Sequence, residues 1–147
     1  MKKVILIAAM LASIGAQAVE LGVNASRDTA NTDRTGAGIT IGQKFGSYGV
    51  TAGFDQYKSG TDLNKYSLVG SYDVTKVGAA TVAVKGGVAY LDQKGSADGY
   101  AALIGAGVSY PLTKELALTA DYRYQAGQSR VSSLDGSTIS AGVKFSF

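Results

Sequence analysis

Residues 140–147 read SAGVKFSF, with Ala141, Val143, Phe145 and Phe147 at every second place and Ser140, Gly142, Lys144 and Ser146 between them. Successive side chains of a strand point to opposite faces, so a strict period of two describes an extended segment with one apolar face. The alternation runs to Phe147 itself. This predicts a last strand with a partner of its own, because an unpaired strand leaves a row of backbone groups unsatisfied. Working back from this stretch, the same period recurs seven more times. It predicts eight strands, near 19–28, 36–46, 48–58, 65–75, 80–92, 100–111, 116–127 and 137–147. Most have the length that a tilted strand needs to cross a bilayer, roughly 9–11 residues.

The connections alternate in character. DTANTDRT, SGTDLN, QKGSADG and GQSRVSSLDG follow the odd-numbered strands, whereas GSY, KVGA and LTKE follow the even ones. Short turns at one end and longer loops at the other are the habit of outer-membrane barrels. One face of the strands carries residues such as Leu21, Ile39, Phe54, Leu68, Val88, Ile104, Leu118 and Ile139, with Gln43 its one polar intruder; the other is mostly Gly, Ser, Thr and Ala with scattered charges. A soluble barrel would turn its apolar face inward and need many Lys and Glu outside. A small, glycine-rich face instead suits the inside of an eight-stranded barrel, which is only wide enough for side chains to fill. The apolar face is therefore expected to meet lipid. Tyr48, Tyr72, Tyr110, Phe45, Phe145 and Phe147 fall near the short-turn ends, and Tyr57, Tyr66, Tyr90, Tyr100 and Tyr124 toward the loop ends. Two such girdles belong at the two membrane interfaces.

The first eighteen residues, MKKVILIAAMLASIGAQA, have the form of a cleavable signal peptide: Lys2 and Lys3, an apolar stretch, then Ala16-Gln17-Ala18 as a cleavage site. The expected organisation is a signal over 1–18 and one barrel domain over 19–147. Without Lys2 and Lys3 the formal charge falls from +3 to +1, so no nucleic-acid partner is expected. The chain has no Cys and no His. Disulfides and thiolate metal sites are excluded, and no cofactor or metal is expected.

Ser140, Gly142, Phe145 and Phe147 together resemble the C-terminal assembly signal of bacterial outer-membrane proteins: a polar residue, a Gly two places on, then apolar or aromatic residues at the antepenultimate and final positions. With the eight alternations and the signal peptide, the chain resembles the small eight-stranded outer-membrane barrels, of which the OmpA membrane domain and OmpX are familiar members. The resemblance implies an all-β, antiparallel, up-and-down transmembrane barrel in the outer membrane of a Gram-negative bacterium, monomeric, with both mature termini periplasmic. Its implied partners are outer-membrane lipid and lipopolysaccharide, periplasmic chaperones and the barrel-assembly machinery. The chain is expected to depart from OmpA in having no periplasmic domain, and from OmpX in its modest loops, whose apolar anchors are chiefly Leu63, Val131 and Leu134. Enzymes of this architecture resemble one another in using a catalytic His, which this chain lacks, so no enzymatic activity is expected.

By parity, Glu20, Lys44, Asp55, Asp73, Lys85, Asp121, Arg123 and Lys144 point inward, four acids against four bases. Charges in a narrow lumen are costly unless paired. Glu20 is expected between Lys44 and Lys144, Asp73 near Lys85 on the neighbouring strand but a few residues apart in height, Asp121 toward Lys144, and Arg123 across the lumen from Asp55. Asp28, Asp33, Asp92 and Asp98 read as solvated loop charges. The resulting expectation is a non-enzymatic barrel closed by polar and ionic side chains, contributing to envelope integrity or surface interaction. The alternative is a narrow porin-like channel for small solutes or ions.

Overall fold

A computed structural model describes residues 18–29, 33–58, 62–95, 98–128 and 135–147. The proposed signal stretch up to residue 17, including Ala16, and the loop residues Val131 and Leu134 lie outside the described residues. Eight antiparallel strands form one closed sheet in chain order: β1 (Val19–Asp28), β2 (Arg34–Phe45), β3 (Tyr48–Lys58), β4 (Leu63–Val77), β5 (Ala80–Gln93), β6 (Gly99–Pro111), β7 (Leu116–Gly127) and β8 (Gly136–Ser146). β8 pairs with β1 to close the wall, from Glu20 opposite Ser146 to Asp28 opposite Thr138. The Phe147 amide donates to the Val19 carbonyl at 3.0 Å and continues the seam.

The short-turn end is built on glycine where the backbone demands it. Gly46 (φ 62°) and Gly78 (φ 61°) open the two-residue turns 46–47 and 78–79 in the left-handed region that other residues enter only with strain. A bulge between Asp73 and Thr75 shifts the register of β4 against β5 near this end.

The register fixes how the barrel is sheared. Pairing passes from Val19 through Gln43, Val50, Gly70, Gly86, Ile104, Tyr124 and Ser137, and returns to β1 at Thr29, ten residues above its start. Strands in such a barrel tilt by roughly 35–45°. Residues level with one another in the pairing are therefore not level in the barrel, each strand being raised by about one residue relative to the last.

The apolar face is outside. Val23, Ile39, Val88, Ile104 and Ile139 are all exposed, Ile104 at 67%. Phe54, Tyr66, Tyr90 and Tyr100 lie directly opposite one another across β3–β6, and their ring centroids stand 5.1, 6.5 and 5.2 Å apart in a line climbing toward the loops. Tyr48 and Tyr72 pack at 4.9 Å near the short turns. Gln43, the polar intruder on this face, is buried to 2% between Val19 and Val50 in the register.

Three expectations are corrected here. Tyr57 is not a girdle residue: it lies an odd number of places from outward Phe54 and is wholly buried in the lumen. Leu63 begins β4 and is also wholly buried, so it is no loop anchor. Asp28 is no solvated loop charge, because β1 runs far enough for its parity to turn it inward, where it is buried. The loop-side half of the lumen is consequently more apolar than a uniformly small, polar face would make it. Tyr57, Leu63, Val69, Ala89, Leu91, Ala101 and Leu103 form one cluster there, contributed by β3–β6.

Candidate functional site

Three ion pairs line the short-turn half of the lumen. Lys144 Nζ stands 2.9 Å from Glu20 Oε1, Lys44 Nζ stands 2.5 Å from Asp73 Oδ2, and Lys85 pairs with Asp121. Glu20 and Lys144 are on adjoining strands. The other two pairs each cross an intervening strand, and glycine makes the crossing available. Lys44 faces Gly49 of β3 in the register, and Gly49 faces Ser71, so the lysine stem passes over a position without a side chain to reach Asp73 on β4. Lys85 crosses β6 in the same way to reach Asp121 on β7. A Cβ at Gly107 would collide with Asp121 Oδ1 and come within 3.0 Å of Lys85 Cε and Nζ.

The partners differ from those the sequence suggested. Lys44 turns to Asp73 and leaves Glu20 to Lys144 alone. Asp73 and Lys85 are neighbours on adjoining strands, two places apart in the register, but do not pair with each other, and Asp121 pairs with Lys85 and not with Lys144. The shear is the reason. Going from β4 to β5, or from β7 to β8, the wall climbs, so residues judged level by their distance from the turns stand at different heights. Counting heights along the sheared wall instead brings Lys44 level with Asp73 and Lys85 level with Asp121.

These pairs surround a cavity of about 160 Å³, lined also by hydroxyls such as Thr40, Thr51, Ser67, Ser71 and Thr119. The side chains of the pairs keep some exposure, so water reaches them. The loop-side half is different. Tyr57, Lys65, Leu63, Leu91, Gln125, Thr138 and Asp55 each keep under 2% of their surface. Lys65 Nζ stands 5.7 Å above the Tyr57 ring, within reach of a cation–π attraction. Asp55 lies opposite Lys65 in the register, and Asp28 opposite Arg34. Arg123 does not form an ion pair with Asp55; its Nη2 donates to Ser140 Oγ at 3.4 Å. Gly38 has the role here that Gly107 has below: a Cβ would collide with Asp55 Oδ1.

Sequence reasoning passed over Arg34, Lys65 and Asp28 as lumen residues. Parity gives all three. Arg34 was lost because its strand was begun at residue 36, Lys65 because it sat at a strand's edge, and Asp28 because it was counted with the loop. At the rim, Arg27 Nε donates to Asp33 Oδ1 at 2.8 Å, and that hydrogen bond holds the Asp33 carboxyl below the usual carboxylate range. The Tyr90 hydroxyl donates to Asp98. Among the described residues no His, Cys, Asp or Glu cluster is arranged to hold a metal. The C-terminal quartet is spread along the closing seam: Ser140 and Gly142 face the lumen side of β8, while Phe145 and Phe147 are exposed outside.

An apolar outer band, aromatic rims and a charge-filled interior define a small eight-stranded barrel of the outer-membrane class. The chain belongs to the family described as YfaZ precursor, whose model matches residues 1–147. No curated protein matches it. Among solved structures, the N-terminal β-barrel domain of Pseudomonas aeruginosa OprF is similar with a TM-score of 0.73 and 24% identity, covering 90% of this chain and 99% of that one. Neisserial surface protein A (NspA) is similar with a TM-score of 0.67 and 18% identity, covering 88% and 96%. The outer membrane protein OprG from Pseudomonas aeruginosa is similar with a TM-score of 0.63 and 12% identity, covering 90% and 96%. At these identities the likeness establishes the fold.

Proposed function

We propose that this chain is a non-enzymatic integral outer-membrane barrel whose lumen is closed, and that it serves the envelope through its wall and its loops, by adding to envelope integrity or by contact at the surface. The observation that carries the reading is the packed loop-side half of the lumen. A conducting pore needs a continuous wet path. Here the side chains of Tyr57, Leu63, Lys65 and Leu91, none of them exposed, stand across that path. The absence of His anywhere in the chain supports a role without the His-dependent chemistry of enzymes that share this architecture. Outer-membrane lipid and lipopolysaccharide would contact the apolar band, and the assembly machinery would read the Ser140–Phe147 strand.

The test is single-channel recording of the refolded protein in planar bilayers. No steady conductance is expected. A stable open level would overturn the closed lumen and make the protein a narrow porin-like channel.

A further inference from the structure

β4 outruns its neighbour at the short-turn end. Its pairing with β3 stops at Tyr48 opposite Tyr72, and the last bond across that seam runs from the Asp73 amide to the Ser47 carbonyl at 2.8 Å. There β3 turns back through Gly46 and Ser47, whereas β4 continues through the bulge to Val77, paired with β5. Val77 and Ala80 flank the two-residue turn and close the hairpin between themselves. Backbone groups alternate in direction along an antiparallel strand, so the next pair, Lys76 and Thr81, point theirs away from each other. The Lys76 amide and carbonyl therefore face the side that β3 has left. Among the described residues, no strand and no backbone hydrogen bond covers that edge.

The edge presents different chemistry on its two faces. Val74 and Val77 are 55% and 67% exposed, and they lie past the Tyr48–Tyr72 pair, away from the apolar band. Val77 shares the outward face with its partner Ala80, whereas Lys76 shares the inward face with Thr81, which lines the lumen. Inside the edge an open cleft separates the hairpin from the β2–β3 turn, and its lining includes Lys44, Ser47, Asp73 and Lys76. Lys44 and Asp73 pair with each other, while Lys76 is exposed and joins no ion pair among the described residues. Lys76 alone would be a guard on a short edge. Set beside exposed valines, it instead makes an edge that a strand of alternating apolar and acidic residues complements.

We infer that residues 74–77 are a docking strand for such an extended segment of another protein. The segment joins the sheet through its backbone, sets an apolar side chain against Val77 and brings a carboxylate to Lys76. A second copy of this chain does not fit the edge. Two copies in one membrane are related by an axis along the membrane normal. Joining identical edges antiparallel in one sheet needs an axis perpendicular to the wall, which lies in the membrane plane and inverts one copy. Joining them parallel needs an axis along the strand, which a tilt of roughly 35–45° carries away from the normal. With the short turns in the periplasm, the partner is a periplasmic protein. The binding itself needs only the hairpin, and it stands whether or not the lumen conducts.

The experiment uses the refolded, isotope-labelled protein in detergent micelles, which have no compartments, so the result does not hinge on orientation. Three blocked pentapeptides are titrated: alternating valine and glutamate, the same peptide N-methylated throughout, and a version with lysine for glutamate. Nuclear magnetic resonance follows the backbone amides of Lys76 and Ser47, with Lys58 at the loop end as a control. With the first peptide a saturable shift is expected at Lys76 and Ser47 but not at Lys58. N-methylation and the change to lysine should each raise the apparent dissociation constant at least tenfold. A Lys76 signal that moves only in proportion to concentration, or equal binding of the N-methylated peptide, would mean that the edge does not take a strand. Equal binding of the lysine peptide would overturn the acidic partner. Lys76→Pro removes the edge amide at a position where proline is tolerated; it should abolish the shift at Ser47 while the unheated protein still runs apart from the boiled one on a denaturing gel. A shift that survives this substitution would place the peptide elsewhere. The peptide comparison lies within the unsubstituted protein, so it decides the matter even if Lys76→Pro fails to fold.

Discussion

Asp55 and Glu20 bring the same charge into the same lumen, but their surroundings differ. Asp55 is buried to 1% opposite wholly buried Lys65, whereas the Glu20–Lys144 pair stands on the wet side. Asp55→Asn would remove a wholly buried carboxylate from a dry compartment that also holds the Lys65 ammonium, so a loss larger than that of Glu20→Gln is expected. Glu20→Gln should lose about 1 kcal/mol or less, because water replaces much of what the pair supplied. Equilibrium urea unfolding from lipid vesicles measures both, and equal losses would refute the division of the lumen into wet and dry halves. Gly107→Val is the corresponding steric case. Its side chain needs the space that the Lys85–Asp121 pair occupies, so overpacking of about 1–3 kcal/mol is expected in the same assay. Parity made the inward charges legible one residue at a time. It did not make their partners legible, since partnership depends on shear, and shear is a property of eight registers together.

The elements themselves were largely written in the alternation. The bounds of β1, β3 and β7 agree with the periodicity to the residue, and β8 within one. β2 begins at Arg34, two residues earlier than the pattern suggested, because Asp33-Arg34-Thr35 has the polar look of a loop while its backbone still pairs with β1 as far as Asp28. β4 runs on to Val77 through the bulge at Asp73/Thr75, and an inserted residue breaks a period of two just where the pattern was being read. The closing seam between β1 and β8 depends on close backbone approach at Gly142, where a Cβ would collide with the Val23 carbonyl. Gly142→Val should therefore leave most of the chain unclosed. A folded barrel resists detergent, so the check is the fraction of unheated sample that runs apart from boiled sample on a denaturing gel. A wild-type fraction for the variant would mean that closure tolerates a side chain there.

At the scale of the molecule, the direction of the two faces decides everything else, and composition points to it: the small face has few charges for a surface in water and many glycines, which suit a filled interior. The matching prediction concerns the wall. Ile104 faces outward in the apolar band, so Ile104→Arg should destabilise the barrel in vesicles by about 2–4 kcal/mol if that band spans the bilayer. An unchanged midpoint would mean that the band does not meet hydrocarbon. The crossing ion pairs carry a mechanical corollary. Lys44–Asp73 straps β2 to β4 across β3, Lys85–Asp121 straps β5 to β7 across β6, and Lys144–Glu20 holds β8 to β1. The barrel is thus coopered from three staves, and among the described residues no lumen ion pair spans the joints β1/β2, β4/β5 and β7/β8. Pulled by its C-terminus in a force microscope, it should yield at those joints first, releasing strands in groups set by the straps. Lys85→Met should split the middle stave into smaller steps and leave the other two as they were.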